Sequence, residues 1–289
     1  MTISQTLRAY YYLTKPGIVY GNALMAIAGY FFGAHGSPSL GVFFAMLVGI
    51  CAVMASACVY NNVIDRDIDL KMERTKKRAV PTGVIAPQNA ILFASILLVV
   101  GVLLLSFGAN MLTALVAISG HIAYVVLYGI AKRKTVHGTL VGTLSGSTPP
   151  VIGYVAATGR LDLVAFLLFL VLVAWQMPHF YAIAIFRRDD YASARIPVLS
   201  VVKGLTATRR QIIAYVIIFI LACMALGVYG GASLLGTMVM LLAGLYWLYL
   251  CLMPVENGEV NRWARKQFGW SLMLLLVLCA TWSLDSFLH

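Results

Sequence analysis

The sequence predicts an all-α membrane protein, a single bundle of about nine transmembrane helices with its N-terminus in the cytoplasm. Three observations predict it. Hydrophobic residues make up 61% of the 289 and charged residues only 11%, whereas a soluble domain carries about 25% charged residues. The mean hydropathy is +0.90. The apolar residues gather into stretches of about 20, the length needed to cross the hydrocarbon core, and nearly all the basic residues fall between them.

The first span is read at 18–32, entered directly from Lys15-Pro16-Gly17. The segment before it, 2–12, is polar and aromatic. No cleaved signal is expected there, because the apolar stretch is too long for a signal core and a second span, 41–64, follows at once. The second span runs into Asn61, Asp65 and Asp69. The third and fourth, 90–107 and 111–130, are joined by a very short connection. The fifth, 138–157, holds Gly138, Gly142 and Gly146 at four-residue spacing, a ridge of small residues that lets helices approach closely. Pro149-Pro150 then break or bend it. The sixth, 163–186, contains Pro178, expected to kink it. The seventh, eighth and ninth are 212–229, 233–253 and 268–287. Connections on one side are short throughout, so residues 1–289 read as one integral-membrane domain.

Charge placement orients the bundle. Of 21 Lys and Arg, 20 lie before the first span or after the second, fourth, sixth and eighth, and only Arg160 lies on the other side. The positive-inside rule places that basic side in the cytoplasm. The net charge of +11 is therefore a one-faced charge facing anionic lipid headgroups, and no nucleic-acid partner is expected. The five cysteines (Cys51, Cys58, Cys223, Cys251, Cys279) all lie in apolar spans without a Cys-x-x-Cys, so neither a disulfide framework nor a thiolate metal site is expected.

Acids do not follow that rule, yet eight of the ten share the basic face. Asn61, Asp65 and Asp69 are four residues apart; on a helix they fall within an arc of about 80°, with Asp67 pointing elsewhere. Charges at membrane depth are costly without a partner. Two carboxylates and an amide on one face form an oxygen site for a hard cation, and Mg2+ held by one or two carboxylates plus substrate phosphate is the common arrangement. Glu256 and Glu259 read instead as solvated loop acids. A second helix end repeats the layout, acids followed by basic residues, at Tyr181 to Arg195, so that two acidic helix ends face one another across a cavity.

The text Asn61-x3-Asp65-x3-Asp69, followed by Met72-x-Arg74-Thr75, resembles the first acidic motif of the UbiA-type intramembrane prenyltransferases. Other motifs resemble the heme-farnesylating branch of that superfamily: Thr14-Lys15-Pro16-Gly17, Ser145-Gly146-x2-Pro149-Pro150-Val151-Ile152-Gly153-Tyr154, and above all Trp175-Gln176-Met177-Pro178-His179-Phe180 with Arg188-x-Asp190-Tyr191 after it. The resemblance covers residues 13–270. It implies that farnesyl diphosphate, protoheme IX and water give heme O and diphosphate. It also implies Mg2+ dependence, a place in the plasma (inner) membrane with a cytoplasmic active face, and a link to assembly of heme-copper terminal oxidases.

Within that resemblance Asn61, Asp65 and Asp69 are the expected catalytic metal holders. Arg74 and Lys77 are expected on phosphate oxygens, with Lys132 and Arg133 as weaker candidates on the same face. In the second cluster Arg187-Arg188-Asp189-Asp190 departs from the usual doubled aspartate motif. Asp190 is expected to help hold metal, Arg188 to hold diphosphate or a heme propionate, and Tyr191 to line the substrate site; an internal ion-pair network is the competing reading. His179 is expected to contact heme, with iron ligation as a stronger form of that role; its alternative is a histidine hydrogen-bonded inside the bundle. His121 and His137 default to structural roles, and His35 and His289 to solvent. Two other functions stay open at this point: a relative prenylating a different aromatic acceptor such as a quinone precursor, and a transporter, whose acids usually sit nearer the bilayer midplane.

Overall fold

The computed structural model describes residues 2–255 and 258–285; Glu256, His289 and the end of the expected ninth span lie outside them. Every regular element among the described residues is helical. The helices are α1 (Ile3–Leu13), α2 (Pro16–Ala34), α3 (Leu40–Ile64), α4 (Arg66–Asp69), α5 (Pro87–Gly108), α6 (Met111–Ile122), α7 (Gly129–Lys134), α8 (Gly138–Gly146), α9 (Thr148–Thr158), α10 (Leu163–Phe186), α11 (Arg188–Ser193), α12 (Leu199–Val202), α13 (Gly204–Tyr229), α14 (Leu234–Leu252) and α15 (Val260–Asp285), with a π-helical stretch, Ala123–Tyr128, between α6 and α7. Among the described residues eight helical runs are long and apolar enough to cross a membrane: α2, α3, α5, the run from α6 through the π-helical stretch to α7, α10, α13, α14 and α15. The remaining expected span, the fifth (138–157), is present as α8 plus α9, broken at Ser147 just before Pro149-Pro150. By contrast α10 continues through Pro178, where the missing N–H costs one backbone bond.

The helices reach further than the apolar spans. The segment before the first span folds as α1, which has a Thr2/Gln5 capping box and exposes Ile3, Leu7 and Tyr11 along one edge. Arg209 and Arg210 lie on α13, and Arg262, Arg265 and Lys266 on α15, where loops were expected. Lys132, Arg133 and Lys134 likewise close α7. Hydropathy locates only the apolar part of a helix; these helices run on past it, with long basic side chains reaching toward water.

Packing is closest where backbones touch. A Cβ on Gly29 would collide with the Pro150 carbonyl, and one on Gly153 with the Ala26 carbonyl, so α2 and α9 lie backbone to backbone. We expect Gly153→Ala to lower stability by about 1–3 kcal/mol through overpacking, read as an earlier thermal transition in detergent; an unchanged transition would contradict this close approach. The Gly138–Gly142–Gly146 ridge does something different. Gly138 meets the Lys132 backbone, Gly142 the Tyr128 ring, and Gly146 the Gln176 amide. Two of its three glycines accommodate side chains.

Candidate active site

The site forms at the basic end of the bundle. One continuous helical face through residues 61–69 was expected. Instead α3 closes at Ile64, Asp65 caps it, and the chain bends before α4. Two backbone bonds nevertheless carry the four-residue register across the bend: Asp65 N–H to the Asn61 carbonyl (2.9 Å) and Asp69 N–H to the Asp65 carbonyl (2.8 Å). Asn61, Asp65 and Asp69 are therefore buried together, at 3%, 5% and 4% exposure, and Asp67 points out to solvent.

A cation from a separate segment meets each of the three. Lys15 Nζ donates to Asn61 Oδ1 at 2.6 Å. Lys132 pairs with Asp65 Oδ2, while Arg133 stands 3.6 Å from Asp65 Oδ1 and forks onto both oxygens of Asp67. Arg78 Nη1 donates to both oxygens of Asp69, at 3.0 and 2.8 Å. Such pairing is what buried charges require. Burial lowers the Lys15 ammonium to about 8, and the Arg133 fork holds the Asp67 carboxyl below the usual carboxylate range. Lys15 reaches inward because its backbone is left-handed (φ 54°) at the α1–α2 junction, and Asn62 Nδ2 pins that junction by donating to the Leu13 carbonyl at 2.8 Å.

The satisfaction is incomplete. Asp65 Oδ1 and Asn61 Nδ2 are buried without a hydrogen-bond partner. Among the described residues no three His, Cys, Asp or Glu side chains converge as a metal group. This end of the bundle therefore holds carboxylate oxygens tied to cations, with one of them, Asp65 Oδ1, buried beyond hydrogen-bond reach of the Arg133 guanidinium.

A cleft of about 440 Å³ opens beside it, lined by Glu73, Arg74, Phe186, Arg187, Asp189 and Asp190. The two acidic connections are held together by a small apolar cluster of Ile68, Met72 and Ala194 with Tyr191 and Ile196, where Ser193 Oγ donates to the Asp190 carbonyl at 2.9 Å and stands 3.4 Å from the Lys71 carbonyl. The structure thus brings Arg74 and Asp190 together across one cavity. The other expected residues lie around this cavity in different ways. Lys77 and Arg188 are exposed, and neither lines the cleft; Arg187 does. Tyr191 packs on the Ile68, Met72 and Ala194 cluster. Asp190 lines the cleft but is not grouped with Asp65 and Asp69 as a three-carboxylate set. Sequence reasoning missed Lys15, Arg78 and Arg187 as site residues. Lys15 stood in a recognised motif; Arg78 lies nine residues past Asp69 in a stretch of turns, where no periodicity could point to it.

The neighbouring wall is aromatic. Tyr124 and Tyr128 stack at 5.5 Å in the π-helical stretch, and Lys132 Nζ lies 5.2 Å over the Tyr128 ring. π-Helical turns often mark functional positions.

His179 lies deeper, buried on α10. Its ring stacks on Trp175 at 4.9 Å and leans on Phe268 at 4.9 Å. Its Nδ1 is 2.8 Å from Ser271 Oγ. The same hydroxyl lies 2.6 Å from the Phe268 carbonyl; when it donates there, Nδ1 carries the hydrogen toward Ser271. The Nε2 atom then carries a free lone pair, the arrangement of a metal-ligating histidine. His121, in contrast, sits 3.4 Å from the Val53 carbonyl against Tyr60, as a structural histidine does.

Fold and site together define a multi-pass integral-membrane protein whose buried acidic motif is braced by cations. The model of the UbiA prenyltransferase family matches residues 22–284, and the chain belongs to that family. It is 45% identical over 281 residues to protoheme IX farnesyltransferase 2 of Pseudomonas fluorescens Pf-5, covering 97% of this chain and 95% of the relative. It is 46% identical over 275 residues to protoheme IX farnesyltransferase of Pseudomonas putida, covering 95% and 93%. Among solved structures, digeranylgeranylglyceryl phosphate synthase matches with TM-score 0.80 at 16% identity, over 99% of this chain and 100% of that one. A UbiA homologue from Archaeoglobus fulgidus bound to GPP and Mg2+ matches with TM-score 0.71 at 17% identity, over 95% and 99%.

Proposed function

We propose that this chain transfers the farnesyl group of farnesyl diphosphate to a vinyl group of protoheme IX, with addition of water, giving heme O and diphosphate. The observation that carries the reading is the Asn61–Asp65–Asp69 cluster, buried, cation-braced and without a hydrogen bond at Asp65 Oδ1, in a chain 45% identical over 97% of its length to a protoheme IX farnesyltransferase. Farnesyl diphosphate and protoheme IX are the substrates, and the plasma (inner) membrane, with the basic end in the cytoplasm, is the setting. The product places the chain upstream of heme-copper oxidase assembly.

Asp65 and Asp69, with Asn61, would hold Mg2+; the orphaned Asp65 oxygen and the all-oxygen donor set fit that ion. Bound Mg2+ supplies Lewis-acid stabilisation of the departing diphosphate. The remaining work falls to the chain. Arg74 lines the cleft where phosphate oxygens fit, and Lys132, Arg133, Lys15 and Arg78 add fixed positive charge where negative charge develops in a water-poor site. The allylic cation left behind faces Tyr124 and Tyr128, whose ring faces attract cations. The vinyl group attacks without a protein nucleophile or strong base, so no such residue is needed.

His179 positions the acceptor, with Nε2 toward the iron and Ser271 fixing the tautomer. Ser271→Ala should weaken heme binding by roughly tenfold or more, the usual cost of losing such a supporting bond; a heme titration matching the parent's would remove the tautomer role. The proposal as a whole is tested by extracting hemes from membranes that contain or lack this chain, with farnesyl diphosphate supplied. A hydroxyfarnesylated heme should appear by mass only with the chain. Prenylation of 4-hydroxybenzoate with heme unchanged would overturn it.

A further inference from the structure

Among the described residues, two side chains on neighbouring segments of the bundle carry buried polar atoms without a hydrogen-bond partner. Gln176 is 5% exposed, and its Oε1 has no hydrogen-bond partner. Ser147 is fully buried, and its Oγ has none either. Buried polar groups are nearly always paired, and an unpaired one is costly. The Gln176 amide packs against Gly146, the residue that precedes Ser147. A Cβ built on Gly146 would lie 2.5–2.9 Å from the Gln176 amide atoms, and Ser147 is the next residue, where α8 and α9 part. The bland reading of that glycine is close helix packing, yet what occupies the space is an amide head with an unused acceptor. Buried waters sit where two to four such polar groups converge. Gln176 is also three residues before His179 on α10, about 60° round the helix and one turn away, on the same side as the ring that positions the acceptor.

We propose that Gln176 and Ser147 hold the water that hydrates the carbocation formed on the porphyrin, an inference that rests on the acceptor assigned above. In that reaction the vinyl π pair forms a bond from the terminal vinyl carbon to farnesyl C1. The positive charge moves to the vinyl carbon attached to the ring. A lone pair of the held water forms the new C–O bond there, and the oxonium loses one proton to the departed diphosphate. Gln176 Oε1 accepts a hydrogen bond from the water and Ser147 Oγ supplies a second contact, so the water's free lone pair is aimed at the carbon; neither side chain gains or loses a proton. Without that water the cation loses a neighbouring proton instead, and the product is an alkene lighter by one water.

The purified chain in lipid nanodiscs, with farnesyl diphosphate, heme and Mg2+, should give the hydroxylated product alone by mass. Gln176→Leu removes the acceptor and should raise the share of the dehydrated product by about tenfold, the worth of a well-placed hydrogen bond. Gly146→Ala displaces the same amide from the other side and should shift the partition in the same direction. Gln176→Glu keeps an acceptor oxygen and should restore the hydroxylated product. A merely structural role changes yield and leaves this ratio alone. Hydroxylated product only, from either altered chain, overturns the inference. So does loss of carbon–carbon coupling in both, since ionisation and coupling need no held water. A parent chain that leaves heme unmodified strikes instead at the acceptor assignment.

Discussion

Asp65→Asn abolishes turnover, by about a thousandfold or more, while the bundle still inserts and folds. The substitution keeps the size of a side chain that is 5% exposed, so packing is retained. What is lost is the charge that pairs with Lys132 and approaches Arg133, and with it the carboxylate proposed to hold the divalent cation. Removing a single preorganised donor from such a site typically costs about 100- to 1,000-fold; a charged ligand that anchors the metal costs at least as much. Product formation per folded protein, with folding checked by the thermal transition in detergent, reads the effect. Parent-level activity in a folded Asp65→Asn chain would remove Asp65 from the chemistry.

His179→Ala carries the second largest effect, and it falls on one substrate only. The imidazole is held by Ser271 and flanked by Trp175 and Phe268, far from the cations of the acidic motif in both sequence and role. Heme affinity should fall by roughly 10- to 100-fold, the range expected when a metal contact is removed, while binding of farnesyl diphosphate changes little. Heme absorbance titration and calorimetry with the diphosphate separate the two. Equal loss of both would mean that His179 supports the fold, and no loss of heme binding would mean that it does not touch the porphyrin.

The nine-span architecture was legible because lipid imposes a length and a composition on each helix, and the burial of Asn61, Asp65 and Asp69 was legible from their four-residue spacing. Three kinds of feature were not. The bend at Asp65 leaves the i+4 bonds intact, so nothing in the spacing signals it. The extensions of α13 and α15 past their apolar parts depend on basic side chains that hydropathy reads as loop. Above all, the partners of the buried acids come from remote segments. Lys15 reaches Asn61 across 46 residues and Lys132 reaches Asp65 across 67, and only the tertiary fold creates those pairs. The choice of Arg187 over Arg188 for the cleft is likewise set by how α10 ends: Arg187 is its cap, and Arg188 opens α11 facing outward.

The most direct measurement is heme farnesylation by the purified chain as divalent metal is withdrawn and restored. Excess chelator should stop formation of the hydroxyfarnesylated porphyrin, and added Mg2+ should bring it back in the parent but not in Asp65→Asn. Undiminished conversion in chelator would contradict the claim that this acidic cluster works through a bound cation.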